Sequence, residues 1–289
     1  IDTTTAESAL ASDEYAVVEQ VIEAQNLQSL SYGTSSAKAI TLSFWVRSNV
    51  TGTYAISIYQ YDDNRMINAT YTISSANTWE KKEITFVGDT TGVIDDDTGS
   101  GLKINWILAA GSDYQGTAQS TWATYANAMF GNGQTANIMS STDNEFLMTG
   151  CMLEIGEKAT EFEHEPYAVT LQKAQRYFEP IIVYGSNAVG NSYSTIQFLI
   201  PFGWNVPKRD NPTFTFPTIG TSSGELGVTN NAGAYPSSHG SVLRAVNTTT
   251  TQTIIYNNAS DGYSGFTDDH LCMLYGNGTP VIKIESEIT

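Results

Sequence analysis

Basic residues are scarce in this chain of 289 residues, which has 13 Lys and Arg against 30 Asp and Glu and a net charge of −17. A nucleic-acid-binding protein needs a basic face, because contacts to phosphate supply much of its affinity. The same acidity opposes docking to anionic lipid. The composition therefore predicts no nucleic-acid partner. It favours a role of the charge in solubility, with specific cation binding as the alternative.

Long apolar runs and catalytic motifs are also lacking. No stretch of 18 apolar residues, signal peptide or lipidation motif occurs, so we expect no membrane insertion. The three histidines, His164, His239 and His270, have no His-x-x-x-His or His-Glu-x-x-His neighbour. The sequence thus predicts a protein that is not an enzyme.

Cysteine is limited to Cys151 and Cys272, which fall in different predicted domains. Their positions match neither a metal-ligand spacing nor a disulfide framework, so both are predicted to stay reduced. Cys151 shares a strand face with Leu153 and Ile155. We therefore expect a buried thiol that behaves as a small apolar side chain. No cofactor is expected.

What the chain does contain is alternation of apolar and polar residues, for example over residues 40–46, 102–108 and 196–200. A half-buried antiparallel strand needs this alternation because successive side chains face opposite sides of the sheet. Glycine-rich turn signals separate the runs. The pattern predicts an all-β protein built from β-sandwiches or jelly rolls.

One helical stripe interrupts the β pattern at residues 166–178. Leu171, Ala174 and Phe178 follow the spacing i, i+3 and i+7, which places them on one helix face. Pro180 prevents the helix from running further. We expect this short helix to mark the boundary between two domains, which the length of the chain also favours.

The stretch from Gly150 to Glu179 carries the most specific motif. A strand and a Gly turn are followed by an Ala-Thr-x-Phe-Glu run and by a helix that ends in Gln-Arg-Tyr-Phe. This pattern resembles a module of bacteriophage tail-fibre and other virion proteins, in which a β-sandwich and such a helix lead into a second β-domain. The matching residues are Leu153, Glu154, Gly156, Ala159, Thr160, Phe162, Glu163, Gln175, Arg176, Tyr177 and Phe178.

The resemblance extends in both directions from this motif. Downstream, residues 206–213 resemble the family's Val-Pro-Met-Arg-x-x-Pro-Thr turn, with Lys208 in place of Met. Upstream, four segments look like the family's jelly roll, the fold of many carbohydrate-binding modules: 41–48, 51–54, 77–80 and 109–112. The implied architecture is an N-terminal jelly-roll β-sandwich over 1–165, then a linking helix and a C-terminal β-sandwich over 166–289.

The resemblance implies a virion structural protein on an external appendage, namely a tail-fibre or receptor-binding component that contacts host-surface glycans. Its implied partners are other virion proteins and two further copies in a homotrimer. A capsid decoration or head-fibre protein is one alternative, and a polysaccharide depolymerase with paired carboxylates is another. The family's usual upstream strand-bearing segment is absent and the chain begins at Ile1. We therefore expect a fragment or a processed product.

Four residues are candidates for ligand binding. Tyr59 and Tyr61 face away from the stripe formed by Ile56 and Ile58 and lead into a polar turn that contains Asn64. Sugar rings stack on exposed aromatic faces, while amides bind their hydroxyl groups. Trp122, in a loop-rich stretch, is a second aromatic candidate if it is exposed. The alternative for the tyrosines is packing against a neighbouring strand or subunit.

An acidic loop at Asp95, Asp96 and Asp97 could supply oxygen ligands to a structural calcium ion. Jelly-roll carbohydrate-binding modules often hold such an ion. The run lacks the 12-residue spacing of an EF-hand. A solvated acidic loop is therefore the favoured interpretation.

Overall fold

A computed structural model describes residues 1–116, 119–182, 185–194, 197–217, 225–230, 243–257, 271–277 and 280–288. The chain forms two compact units, of which the first comprises Ile1–His164 with Ile288 and the second Glu165–Glu287. The first unit thus ends one residue before the predicted boundary at residue 165. The prediction of an all-β protein is confirmed, because the strands of both units pair antiparallel into sheets.

The first unit is a β-sandwich of two antiparallel sheets. Five strands form one sheet in the order β1-β6-β3-β4-β7, and three form the other in the order β5-β2-β8. Sequence neighbours are mostly separated in space, as in a jelly roll. The strands are β1 (Tyr15–Glu23), β2 (Ile40–Ser48), β3 (Gly52–Gln60), β4 (Arg65–Ile73), β5 (Glu80–Phe86), β6 (Ser100–Ala110), β7 (Ala123–Thr124) and β8 (Phe146–Ile155).

The core of the first unit lies between its two sheets. Phe44 of β2 meets Trp106 of β6 edge-to-face at 6.0 Å between ring centroids, and Tyr54 stacks on Tyr71 at 5.5 Å. These residues come from the alternating stripes, so period-2 patterning explains why one face of each strand is buried. Short 3-10 turns at Ala24–Leu30, Ser112–Tyr114, Asn127–Met129 and Ile138–Ser140 connect the strands.

The second unit is a β-sandwich as well. Its larger sheet has the order β13-β16-β10-β11-β15-β14, and its smaller sheet the order β12-β17-β9. Ile200 and Ile255 from the larger sheet share a buried core with Ile282 and Ile284 from the smaller one. The strands are β9 (Phe178–Ile182), β10 (Gly185–Ser194), β11 (Gln197–Gly203), β12 (Thr213–Thr215), β13 (Glu225–Asn230), β14 (Arg244–Val246), β15 (Gln252–Tyr256), β16 (Leu271–Asn277) and β17 (Val281–Glu285).

The predicted helix exists but is shorter than expected. Helix α1 spans Tyr167–Gln175. Pro166 precedes it with an extended ψ of 137° and serves as the N-cap residue. At the other end Phe178 belongs to β9, where it pairs with Glu285 of β17. Sheet pairing therefore overrides the helical spacing of Phe178. Among the helices that the structure describes, none has the length and apolar character needed to cross a bilayer.

The prediction for Cys151 is correct in one respect and wrong in another. The residue is a free cysteine, as expected, but it is exposed rather than buried. It lies on β8, which forms the edge of the three-stranded sheet, so no further strand covers it within the described residues. Cys272 lies on β16 in the second unit.

Candidate functional site

The candidate site lies on the outer face of the five-stranded sheet. Ile56 and Ile58 of β3 are buried in the core, so Ser57 and Tyr59 point to the opposite face. The register pairs Ser57 with Asn105 and Tyr59 with Lys103 of β6. Side chains from neighbouring strands therefore converge beside Tyr59 on this face.

The turn after β3 positions both predicted tyrosines and Asn64. Asn64 adopts a left-handed conformation with φ of 52°, which Asn tolerates better than most residues. Its side-chain Oδ1 accepts a hydrogen bond of 2.8 Å from the Tyr59 hydroxyl. The Tyr59 and Tyr61 rings meet edge-to-face at 6.1 Å between centroids. Tyr61 is 49% exposed and offers the more accessible ring face of the two tyrosines.

The segment between β6 and β8 adds a further aromatic ring, that of Tyr125. Asn68 of β4 anchors this segment, because its Nδ2 donates to the Met129 carbonyl at 2.5 Å and its Oδ1 accepts from the Gln119 amide at 2.9 Å. The Tyr125 amide in turn donates to the Asn64 carbonyl at 2.9 Å. Tyr125 thereby meets Tyr59 edge-to-face at 5.3 Å between ring centroids.

These elements border an open cavity of about 260 Å³ on the outer face. The volume is below the ~300–1,000 Å³ of pockets that hold drug-sized ligands, so it suits one small ring better than an extended molecule. Aromatic side chains form its walls, and polar side chains from β1 and β6 lie beside them. Its lining consists of Glu19, Tyr59, Met66, Lys103, Asn105, Tyr125 and Phe130.

The polar groups of the cavity include one acidic side chain, one basic side chain and a buried hydrogen-bond acceptor without a partner among the described residues. Glu19 of β1 and Lys103 form an ion pair at 3.5 Å, and the Lys103 ammonium lies 5.6 Å from the centroid of the Tyr61 ring. Asn105 is 1% exposed, and its Oδ1 has no hydrogen-bond partner among the described residues. The same holds for the buried Oγ of Ser57. Both atoms have almost no accessible surface, so the polar groups within reach of a ligand are those of Glu19 and Lys103, whose side chains are 38% and 19% exposed.

The phenols of Tyr59 and Tyr125 remain neutral hydrogen-bond donors at neutral pH. Burial raises the pKa of Tyr59 above its usual value of 10.0, with a smaller contribution from Tyr61. Burial is also the main cause of the raised pKa of Tyr125. Both shifts favour the uncharged form, because desolvation penalises a phenolate.

The expectation of an exposed Trp122 is wrong. Trp122 is 9% exposed and packs into the core, where its ring meets Tyr32 edge-to-face at 5.6 Å. Its Nε1 donates to the Val87 carbonyl at 2.7 Å, so the polar end of the indole is also satisfied. Trp122 therefore supports the sheet beneath the turn and presents no ring face to a ligand.

The acidic loop is exposed at Asp95, Asp96 and Asp97, as expected for a solvated loop. Asp62 Oδ2 accepts a hydrogen bond from the Asp95 amide at 3.0 Å, and Asp97 Oδ1 accepts from the Gly99 amide at 2.8 Å. Burial, followed by the neighbouring carboxylates, raises the pKa of Asp62. Across the described ranges no group of three or more acidic, His or Cys side chains is arranged to hold a metal ion.

Sequence reasoning found the turn but missed most of the cavity. Glu19, Asn105 and Tyr125 lie on separate elements, and only the pairing of β1 and β3 with β6 brings the first two beside Tyr59. One signal was available, since Lys103 and Asn105 alternate with the buried residues Leu102 and Ile104 and must face outward.

No protein-family model matches this sequence, and no curated protein shows significant similarity to it. A functional assignment therefore depends on the geometry of the outer-face cavity and on the motif at residues 150–179.

Proposed function

We propose that the first unit binds glycans through the outer-face cavity, and that the protein is a phage virion component which contacts the host surface. The observation that carries the binding proposal is the cluster of Tyr59, Tyr61 and Tyr125 beside the accessible ion pair of Glu19 and Lys103. The resemblance at residues 150–179 supports the virion assignment and a location on an external appendage.

The chemistry of the cavity suits a sugar ring. The C–H face of a pyranose is apolar and stacks on aromatic faces, and Tyr61 offers an accessible one. The carboxylate of Glu19 and the ammonium of Lys103 supply one acceptor and one donor for the sugar hydroxyl groups. The proposed ligand is therefore a neutral or weakly charged glycan.

The same geometry supports binding rather than cleavage. Glycoside hydrolysis generally uses two carboxyl groups on either side of the scissile bond. Among the residues described as lining the cavity, Glu19 is the one carboxylate, so the lining does not supply the second carboxyl group. A depolymerase thus has less support than a receptor-binding protein.

We expect Tyr61→Ala to weaken glycan binding by about fivefold, because one stacked ring contributes on the order of 1 kcal/mol. The melting temperature should change by less than about 2 °C, since Tyr61 is half exposed. Trp45→Ala is the matched control, because Trp45 is 42% exposed on the other sheet. Binding of both variants to host cells and to a glycan array is the measurement.

Three results would contradict the proposal in different ways. A loss of several degrees in melting temperature for Tyr61→Ala would show that the ring is structural. Equal loss of binding for Trp45→Ala would place the site elsewhere. Binding to capsid shells, without binding to cells or glycans, would favour a capsid decoration or head-fibre protein.

A homotrimer would raise the avidity of such a weak site, because linked sites bind at a high effective concentration. Helix α1 has features of a subunit contact. Tyr167 is 78% exposed, and Val169 and Leu171 are each 40% exposed. None of its nine residues is buried against the described part of the chain. A helix this short is marginal in water without packing. We infer that α1 packs against α1 of further copies.

We expect light scattering at micromolar concentration to give three times the chain mass of 31.3 kDa. Leu171→Asp should shift the protein toward the monomer, because burying a carboxylate in an apolar contact is costly. Val93→Asp is the control, since Val93 is 51% exposed in the first unit. A monomeric wild-type protein would refute the trimer, and a trimer unaffected by Leu171→Asp would exclude α1 as its contact.

A further inference from the structure

Three polar side chains of the second unit meet at one buried carboxylate. Glu179 of β9 is 2% exposed, and Lys208 is 1% exposed. The Lys208 Nζ donates to Glu179 Oε2 at 2.6 Å. Asn205 Nδ2 donates to the other oxygen of the same carboxylate, Oε1, at 2.8 Å. One carboxylate therefore holds an amine and a carboxamide side by side.

Further hydrogen bonds hold the two partners of Glu179 in place. The Lys208 Nζ also donates to the Gln175 carbonyl, and the Lys208 amide donates to the Thr250 carbonyl at 2.7 Å. The Asn205 amide donates to Glu179 Oε1 at 3.4 Å. The amine and the carboxamide are thus oriented by the fold. Groups held in this way react with each other at a high effective concentration.

The buried charges of Lys208 and Glu179 give a reaction at this position a driving force. Two opposite charges inside a protein carry a desolvation cost, which their attraction offsets only in part. An amide bond between Lys208 and Asn205 would leave neutral groups in the same place. A lysine amine is a nucleophile once it has lost its proton, and Glu179 is hydrogen-bonded to that amine.

We propose that an isopeptide bond forms between Lys208 Nζ and Asn205 Cγ, with Glu179 as the proton carrier. Glu179 Oε2 accepts a proton from Nζ, and the electron pair of the amine forms a bond to Cγ. The carboxyl group passes a proton to Nδ2, the Cγ–Nδ2 bond breaks, and ammonia leaves. Of the three ammonium protons, one stays in the new amide, one leaves in ammonia and one remains on Glu179.

The positions of the three groups suit these steps. Both hydrogen bonds of Glu179 lie within the range over which a carboxyl group transfers protons. Asn205 is exposed, so the ammonia that it releases can leave directly into solvent. The new bond would close a ring over Val206 and Pro207, whose backbone the proline already restricts. The turn between β11 and β12 would then be fixed covalently.

Mass spectrometry of the denatured full chain tests this bond. After incubation for several days at neutral pH, we expect the wild-type protein to be lighter than its sequence by one molecule of ammonia. The tryptic peptide from Tyr177 to Arg209 should carry this loss, without cleavage after Lys208. Its fragment spectrum should lack backbone breaks between Asn205 and Lys208, because the ring keeps both pieces attached. Hydroxylamine should not reverse the loss, whereas it opens a succinimide formed from an asparagine.

Three variants assign the bond to its residues. Asn205→Ala removes the carbon that is attacked, and Lys208→Arg keeps the positive charge but not the nucleophilic amine. We expect both to have the full mass of their sequences. Asn205→Ala should fold normally because the side chain is exposed. Lys173→Met, which removes an exposed lysine of α1, should leave the ammonia loss unchanged.

Two results would overturn the proposal. One is a wild-type protein with the full mass of its sequence after the incubation, because the amine and the carboxamide would then remain separate. The other is an ammonia loss that persists in Asn205→Ala or is reversed by hydroxylamine, since it would come from a succinimide or from another asparagine.

Discussion

Lys208→Met is expected to destabilise the second unit by about 3–5 kcal/mol, which corresponds to a fall in melting temperature of roughly 10–20 °C. Lys208 is 1% exposed, and its Nζ donates to Glu179 Oε2 at 2.6 Å and to the Gln175 carbonyl. Glu179 is 2% exposed. The methionine preserves the apolar stem but leaves the buried carboxylate without its cation, which is the costly half of a broken ion pair.

Two further variants determine whether the buried charge is the cause. Glu179→Gln in the Lys208→Met background removes the unpaired charge and keeps an acceptor for Asn205, whose Nδ2 donates to Glu179 Oε1 at 2.8 Å. We expect it to recover at least half of the lost stability. Lys173→Met removes an exposed lysine of α1 that pairs with Glu165, and it should cost less than about 1 kcal/mol. Similar losses for Lys208→Met and Lys173→Met, measured by thermal unfolding, would refute this account.

Asp89→Ala is expected to cost about 2–4 kcal/mol in the first unit. Arg65 Nε donates to Asp89 Oδ2 at 2.6 Å and Arg65 Nη2 to Oδ1 at 3.1 Å, a two-point contact whose side chains are 16% and 1% exposed. Nη2 of Arg65 also donates to the Trp122 carbonyl at 3.2 Å. The substitution therefore leaves a largely buried guanidinium without its carboxylate beside the segment that covers the candidate site.

An exposed pair in the same unit provides the matched control for Asp89→Ala. Arg47 and Glu145 lie 3.5 Å apart with side chains that are 33% and 35% exposed, so Glu145→Ala should cost less than about 1 kcal/mol. Hydrogen exchange measured by mass spectrometry should show the loss of protection for Asp89→Ala in the first unit and for Lys208→Met in the second. Equal destabilisation by Asp89→Ala and Glu145→Ala would mean that the burial of the Arg65–Asp89 pair adds nothing.

The candidate site shows where sequence reasoning was limited. The alternation around Ile56 and Ile58 was sufficient to place Tyr59 on the outer face, because strand period is a local property. The exposure of Trp122 was not predictable in this way. Its stretch has no period, and its burial depends on contacts with Tyr32 and Val87, which are distant in sequence.

The Lys208–Glu179 ion pair shows the same limit of sequence reasoning for charged residues. Lys208 and Glu179 are 29 residues apart, and neither has a local pattern that predicts burial. The family's turn motif that residues 206–213 resemble even has an apolar Met at the position of Lys208. Only the sandwich of the second unit brings the two side chains together in a buried position, where each makes the burial of the other tolerable.

By itself, the sequence determined the all-β class, the position of α1 and the inward and outward faces of the strands, because alternation, proline and turn residues act over a few neighbours. The tertiary structure alone decided which strands became neighbours, and hence that Glu19, Asn105 and Tyr125 surround Tyr59. Among the described residues it also placed β8 at the edge of its sheet, where Cys151 is exposed. Strand order depends on the packing of distant stripes against one another, and several orders satisfy the same local pattern.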